Sequence, residues 1–199
     1  MSRDLNKATP RVRDFANKLI SEAKRVLNID AFVVEVDRPY EVQVAYYAQG
    51  RDSLTAVNKL RKRAGLPPIN ASRNKKITWT MNSNHITNLE NDTTSDNLSR
   101  AVDFGIKDKM GRYDGSSKAD TNKDNKADYK QLGIIGKMID PGMIWGGDWK
   151  TPDMPHWEEP SSPFEGGESG GGGAARTFET KPVTEADLDS VTAKDDVKI

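Results

Sequence analysis

The chain has 199 residues, enough for one domain with a buried core and some additional segments. Its hydrophobic content of 35% and charged content of 30% indicate that part of the chain is solvated rather than packed. Cysteine is absent, which excludes disulfides, cysteine zinc sites and thiol nucleophiles. Any metal must therefore bind through histidine or oxygen ligands.

The formal net charge is zero, but it is unevenly distributed. Residues 157–199 carry ten acidic and four basic side chains. Residues 1–156 carry the remaining 26 basic and 20 acidic side chains and therefore have a net charge of +6. A positive surface favours an anionic partner such as a bacterial envelope or nucleic acid. A well-solvated surface explains the same numbers equally well.

The first residues, MSRDLNKATP, lack the apolar core of a signal peptide, and no stretch approaches the roughly 18 apolar residues of a membrane span. We therefore expect a protein made in the cytoplasm without stable membrane insertion. Reaching the periplasm or cell wall would require outside help.

The first third of the chain shows mainly helical periodicity. Thr9 can cap a helix that starts at Pro10 and continues to Leu27. The run AFVVEV (31–36) predicts a strand. Two shorter helices are predicted from PYEVQVAYYAQG (39–50) and SLTAVNKLRKRAG (53–65).

The remaining predicted elements alternate strands and helices. KKITWT (75–80) and RAVDFGI (100–106) read as strands that could pair, with the polar residues 88–99 as an excursion between them. ADYKQLGIIGKMI (127–139) predicts a helix, and GMIWGGDW (142–149) a short strand and turn. The predicted fold class is α+β, with a small antiparallel sheet flanked by helices.

Residues 160–199 differ in composition from the rest. The segment PSSPFEGGESGGGGAA is typical of a flexible linker, and the acidic sequence after it has few large apolar residues. We therefore predict one folded domain over residues 1–159, followed by a linker and a flexible tail whose partner is unknown.

The two histidines, His85 and His156, both lie beside strand-like segments. Zinc in hydrolases is held by three protein ligands, often including a carboxylate, and the fourth position is left to water. A nearby carboxylate then accepts the proton of that water. The chain has no HExxH helix, and for each histidine alone a structural role is the plainer explanation.

Four segments of the sequence belong together: TPRVRDFANKLISEAKRVLNIDAFVVEVDRPYEVQVAYYAQGR, then SNH, AVDF and WGGDWKTPDMPHWE. Together they resemble the zinc D-alanyl-D-alanine carboxypeptidase and L-alanyl-D-glutamate peptidase family, especially its phage endolysin branch. The resemblance covers about residues 8–158. It implies a zinc metallopeptidase domain with the hedgehog-like fold of the D-Ala-D-Ala carboxypeptidases.

The family pattern reads S-x-H-x-x-G-x-A-x-D, followed later by a carboxylate three residues before the last histidine. On this pattern, the resemblance implies His85 and His156 as zinc ligands and Asp153 as the catalytic base. It also implies that Arg38 is catalytic, holding a substrate carboxylate or carbonyl. Ser83 and Gln43 are implied as substrate-binding residues.

The second zinc ligand departs from the pattern. Family spacing from His85 points to Asp92, whereas the context AVDF points to Asp103. Asp103 is preferred because a ligand must be held rigidly, and an apolar strand does this better than the polar loop around Asp92. This choice requires an insertion of about eleven residues in the motif and the loss of its glycine.

The resemblance implies a monomeric hydrolase of bacterial peptidoglycan that cleaves between L-alanine and D-glutamate during phage host lysis. D-alanyl-D-alanine carboxypeptidase activity, or a non-catalytic virion or wall-binding role, remains open. A nucleic-acid partner is not expected, because no aromatic residues interleave the charges of KLRKR. Asp153 could also simply cap a turn, and Ser83 could simply hydrogen-bond its loop.

A weaker pattern lies in DTNKDNKAD. It places Asp120, Asn122, Asp124 and Asp128 at positions 1, 3, 5 and 9 of a calcium loop. Asn125 replaces the usual glycine at position 6, and Gln131 replaces the glutamate at position 12. The pattern predicts a possible calcium site, while a plain polar loop explains it as well.

Overall fold

A computed structural model describes residues 2–87 and 97–160. Within these ranges the fold is α+β, as predicted, with α helices beside a small antiparallel sheet. The α helices are α1 (Pro10–Leu27), α2 (Tyr40–Ala48), α3 (Leu54–Arg63) and α4 (Asp128–Ile139). The strands are β1 (Asp30–Glu35), β2 (Ala101–Lys107), β3 (Tyr113–Asp114), β4 (Ile144–Trp145) and β5 (His156–Glu158).

The sheet has the strand order β1, β2, β5, β4, and β3 pairs with β2 off this path. Strands β2 and β3 are antiparallel, with Ile106 opposite Asp114. Strands β4 and β5 are also antiparallel, with Trp145 opposite Trp157. The two candidate ligands Asp103 and His156 therefore lie on neighbouring strands.

The helices begin and end where the sequence predicts. The Thr9 hydroxyl accepts a hydrogen bond from the Val12 amide, and the Ser53 hydroxyl accepts one from Ala56. Gly50 follows α2 with φ +70°, and a Cβ at this position would lie 2.3 Å from the Lys76 nitrogen. Only glycine allows this backbone approach.

The prediction of a strand over KKITWT was wrong, because the structure assigns no strand to residues 75–80. Its carbonyls accept hydrogen bonds from side chains instead: Thr80 from the Gln43 amide and Thr78 from the Arg51 guanidinium. The predicted partner, β2, pairs with other strands. Strands β3 and β5 were missed because two or three residues carry too little periodicity.

One compact unit draws on residues 2–16 and 33–105. Its interior contains Phe15 and Phe104, whose rings meet edge to face with centroids 6.4 Å apart. Helices α2 and α3 pack against each other in this unit. The segment around Ser83 and His85 belongs to it.

The second compact unit draws on residues 17–32 and 106–160. Trp145 and Trp157 stack with ring centroids 6.0 Å apart and are both buried, as packing residues. Helix α4 accommodates them through two glycines: a Cβ at Gly133 would lie 2.5 Å from Trp145, and one at Gly136 would lie 2.3 Å from Trp157. The glycines thus form a notch that seats β4 and β5.

The described ranges contain no helix with the length and apolar character that a bilayer crossing requires. The predicted linker and tail lie outside the described residues from 161 onward, and so does Asp92.

Candidate metal centre

His85 is buried, and its ring is oriented by the backbone. Its Nδ1 lies 2.7 Å from the Val36 carbonyl oxygen. Because a carbonyl only accepts, Nδ1 must carry the proton and donate it. In this tautomer Nε2 has the lone pair, and it lies 3.2 Å from Oδ1 of Asp103. Two such electron-rich atoms are stable at this distance only with a cation or a further proton between them.

His156 is oriented by a side chain instead. Its Nε2 lies 3.0 Å from Oε2 of Glu158 in the same strand. A carboxylate accepts, so Nε2 carries the proton and Nδ1 keeps the lone pair. A carboxylate that accepts the other ring N–H in this way is a regular partner of metal-binding histidines, because it fixes the orientation of the ring.

The turn that carries His156 is fixed by close backbone packing. The Asp153 amide donates to the Gly146 carbonyl at 2.9 Å, and the His156 amide donates to the Asp153 carbonyl at 3.1 Å. A Cβ at Gly146 would lie 2.5 Å from that Asp153 oxygen. The Trp149 ring covers the imidazole, with centroids 5.0 Å apart.

Asp103 completes a compact donor set. One ligand atom from each of His85, Asp103 and His156 lies within 4.8 Å of the other two, and this group could hold a metal ion. Two imidazole nitrogens and a carboxylate oxygen are a donor set that suits zinc. Asp153 is exposed and is not a member of the group.

Arg38 lies next to this group and is held firmly. Its Nε and one terminal nitrogen donate to the two Glu35 carboxylate oxygens at 2.7 and 2.8 Å, and its other terminal nitrogen donates to Oε1 of Gln43. Burial alone would lower the pKa of Arg38, but the hydrogen bonds and charge of Glu35, with the charge of Asp103, outweigh burial and raise it. The guanidinium therefore remains a fixed positive charge.

Gln43 and Ser83 have structural partners. Gln43 is fully buried, and its amide nitrogen donates to the Thr80 carbonyl at 2.6 Å. This enclosure suits a supporting role behind Arg38 better than direct contact with substrate. The Ser83 hydroxyl accepts from the His85 amide at 3.4 Å and so closes the turn before the histidine.

The sequence reasoning missed Glu35 and Glu158. Glu158 could have been found, because residues i and i+2 of a strand point to the same face, and His156 and Glu158 have this spacing. The Val36 carbonyl carries no sequence signal, since any residue supplies one.

The predicted calcium loop forms a tight hydrogen-bonded turn. Oxygens of Asp120 and Asn122 accept backbone amides, and Oδ2 of Asp128 accepts from both the amide and hydroxyl of Thr121. Burial, followed by the charges of Asp120 and Asp124, raises the pKa of Asp128 against the opposing effect of the Thr121 hydrogen bonds. Within the described residues, these carboxylates do not form a metal-ligating group of three.

No family model matches the chain. The peptidoglycan L-alanyl-D-glutamate endopeptidase CwlK of Bacillus subtilis (strain 168) is 36% identical over 63 residues, which cover 31% of this chain and 36% of the relative. The chain thus matches about a third of that relative's length.

Among solved structures, the L-Ala D-Glu endopeptidase ChiX of Serratia marcescens is similar with a TM-score of 0.41 and 19% identity, covering 78% of this chain and 83% of that one. The predicted resemblance to L-alanyl-D-glutamate peptidases is confirmed by the sequence match to CwlK.

Proposed function

We propose that the protein is a zinc-dependent endopeptidase that cleaves the L-alanyl-D-glutamate bond of peptidoglycan stem peptides. The observation that carries the proposal is the His85, Asp103 and His156 group, with its ligand atoms within 4.8 Å of one another. The sequence match to a peptidoglycan L-alanyl-D-glutamate endopeptidase supplies the substrate and bond.

His85 through Nε2, His156 through Nδ1 and a carboxylate oxygen of Asp103 would hold the ion, since the other imidazole nitrogens already donate to Val36 and Glu158. Zinc bound there supplies Lewis acidity toward the scissile carbonyl and toward water. The protein contributes rigid donor atoms. A strand and a buried turn hold these atoms in place before substrate binds.

Asp153 accepts the proton of the attacking water and passes it to the leaving amine. The Asp153 carboxylate is exposed on a turn that hydrogen-bonds to Gly146 and His156, so it can reach substrate without coordinating the metal. Arg38 stabilises negative charge that develops on the carbonyl oxygen. Within the described residues, Glu35 and Gln43 use three of its five N–H groups, which leaves two to donate to substrate.

The test is hydrolysis of purified cell walls followed by mass spectrometry. Wild-type protein with zinc should release fragments with a new N-terminal glutamate, and Asp153→Asn should reduce the rate by about 100-fold or more. The matched control is Asp52→Asn, at an exposed aspartate in the turn between α2 and α3, which should leave the rate unchanged. Release of free terminal alanine would instead identify a D-alanyl-D-alanine carboxypeptidase, and no release with zinc bound would indicate a non-catalytic wall protein.

The proposed biological role is that of a phage endolysin that waits in the host cytoplasm until a pore former opens the membrane. The resemblance of the motif segments to the endolysin branch supports this role. Expression in a susceptible host should cause lysis only when a pore-forming protein is co-expressed. Lysis from expression alone would contradict the role while leaving the enzymatic proposal intact.

We also propose that the loop from Asp120 to Gln131 binds calcium. Two buried oxygens at positions 9 and 12 of the pattern, Oδ1 of Asp128 and Oε1 of Gln131, have no hydrogen-bond partner in the described part of the chain. Gln131 is drawn into the loop by its amide nitrogen, which donates to Asp124 at 2.6 Å. Asn125 replaces the usual glycine and has φ 66°, the left-handed conformation that this position requires.

Calcium should raise the melting temperature of the zinc-loaded protein, and magnesium should do so much less. Asp128→Asn should remove the calcium effect, whereas Asp52→Asn should retain it. An unchanged melting temperature at millimolar calcium would refute the site.

A further inference from the structure

Glu35 holds the Arg38 side chain through an ion pair that is largely closed to solvent. Both Glu35 carboxylate oxygens accept hydrogen bonds from the guanidinium, at 2.7 and 2.8 Å. The Arg38 side chain is 12% exposed and the Glu35 side chain 11%. The cost of taking two charges out of water offsets their attraction, so such a pair adds little net stability compared with apolar residues of similar volume. Stability alone therefore does not explain a carboxylate at this position.

The main chain around this ion pair is part of the candidate metal centre. The Val36 carbonyl, next to Glu35, accepts from Nδ1 of His85 at 2.7 Å. The Arg38 amide donates to the His85 carbonyl at 2.8 Å. The backbone therefore fixes the Arg38 main chain next to a proposed zinc ligand, whereas the position of the guanidinium depends on its side-chain contacts.

Three side chains orient the guanidinium of Arg38. Glu35 binds Nε and one terminal nitrogen, and Oε1 of Gln43 accepts from the other terminal nitrogen at 2.8 Å. The Tyr46 ring lies beside the guanidinium, with its centroid 5.5 Å from Cζ. Among these three partners, only Glu35 supplies two hydrogen bonds and a counter-charge. Because a free arginine side chain samples many rotamers, holding it in place before the reaction removes an entropic cost from the chemical step.

We propose that Glu35 is a positioning residue that acts on the reaction through Arg38. It holds the guanidinium where negative charge develops on the scissile carbonyl oxygen, and it does so without contacting substrate or zinc. This inference rests on the proposed function, in which Arg38 stabilises that charge. Since the interaction is made in the transition state, loss of Glu35 should lower kcat and leave KM and zinc affinity unchanged.

The test measures kcat and KM on a soluble peptidoglycan fragment that contains an L-alanyl-D-glutamate bond, and zinc affinity by competition with a chelator. Glu35→Gln keeps one acceptor oxygen and should lower kcat about tenfold, with KM and zinc affinity within about twofold of wild type. The matched control is Glu22→Gln. It alters an ion pair with Arg25 in α1 that has the same i, i+3 spacing and hydrogen-bond pattern but is more exposed, and it should change none of these quantities.

A double-mutant cycle with Arg38 separates positioning from general structural support. Arg38→Gln should lower kcat more than Glu35→Gln does, because it removes the guanidinium itself. In the Arg38→Gln background, Glu35→Gln should cause no further loss of kcat, since no guanidinium remains to be positioned. The double variant leaves neither charge of the pair buried without its partner. The comparison of Arg38→Gln with the double variant therefore stands even where Glu35→Gln is too unstable to assay.

Three results would overturn the role of Glu35 and leave the enzymatic proposal intact. The first is wild-type kcat in Glu35→Gln, and the second is an equal loss of kcat with and without Arg38. The third is a loss of zinc affinity that parallels the loss of kcat, which would make Glu35 a structural support for the segment that holds His85. Absence of cleavage by the zinc-loaded wild type would instead contradict the proposed function itself.

Discussion

The two histidines of the candidate metal centre are oriented by different means. The ring of His85 is fixed by the main-chain carbonyl of Val36, while the ring of His156 is fixed by the side chain of Glu158. The first arrangement leaves Nε2 for a metal and the second leaves Nδ1. Glu158 can be substituted while His156 itself is kept, so the effect of orienting this ring can be measured separately from the effect of removing it. The main-chain carbonyl of Val36 cannot be removed by a substitution, so His85 does not allow the same experiment.

The largest expected effect comes from removing either imidazole. His85→Ala and His156→Ala should each reduce zinc affinity by about 100-fold or more, because three donors share the binding free energy. Competition with a chromophoric chelator measures this affinity. Wild-type affinity in His156→Ala would show that the two imidazoles do not serve one ion.

Replacing the partner of His156 should have the next largest effect. Glu158→Ala should weaken zinc binding by about 10- to 100-fold, since loss of an outer-shell carboxylate frees the ring to turn or change tautomer. Glu158→Gln keeps an acceptor oxygen and should recover part of the affinity. Glu41→Ala, at an exposed position in α2, is the matched control. If Gln and Ala variants bind zinc equally weakly, negative charge rather than orientation is what Glu158 contributes.

The support behind β5 can be tested through α4. Gly136→Ala places a methyl group 2.3 Å from the Trp157 ring, and overpacking of this kind should lower the free energy of unfolding by about 1–3 kcal/mol. Gly65→Ala is a useful contrast, because its φ of +69° strains a side chain although no atom lies within 4 Å. Urea unfolding compares the two. If Gly136→Ala lowers the free energy of unfolding less than Gly65→Ala does, the Trp157 ring must move aside at little energetic cost.

The smallest effect concerns the support of His85. The Ser99 hydroxyl donates toward the same Val36 carbonyl at 2.7 Å. Ser99→Ala should therefore cost about 1 kcal/mol of stability while zinc affinity stays unchanged, because the His85 hydrogen bond remains. A drop in zinc affinity comparable to that of Glu158→Ala would show that the serine helps to hold the imidazole.

Much of the fold followed from sequence because the helices are long and capped. Helix α1 shows helical periodicity over 18 residues. Helix α3 has a Ser53 cap, and β2 is an apolar run, so each of these elements is encoded by its own local sequence. The strand predicted for Lys75 to Thr80 was wrong, because β-branched and aromatic residues favour a strand only where a partner strand exists. Here its carbonyls meet the Gln43 and Arg51 side chains instead, and nothing in the segment itself reveals this.

The candidate site was predictable only in part. His85, Asp103 and His156 were identified from motif context, and the structure groups them. The Val36 carbonyl was unpredictable, since contacts between a side chain and distant backbone depend on the tertiary fold. Glu35, which fixes Arg38 three residues away, was likewise missed because a surface role explains an acidic residue in a strand equally well.

The glycine notch of α4 also bears on how the molecule assembles. Each glycine costs a helix interior about 1 kcal/mol relative to alanine, so α4 is a poor helix by itself. Part of its stability therefore comes from Trp145 and Trp157, which fill the space its glycines leave. During synthesis, α4 should therefore remain frayed until the ribosome has released residue 157, and the strand bearing His156 should consolidate together with the helix rather than after it.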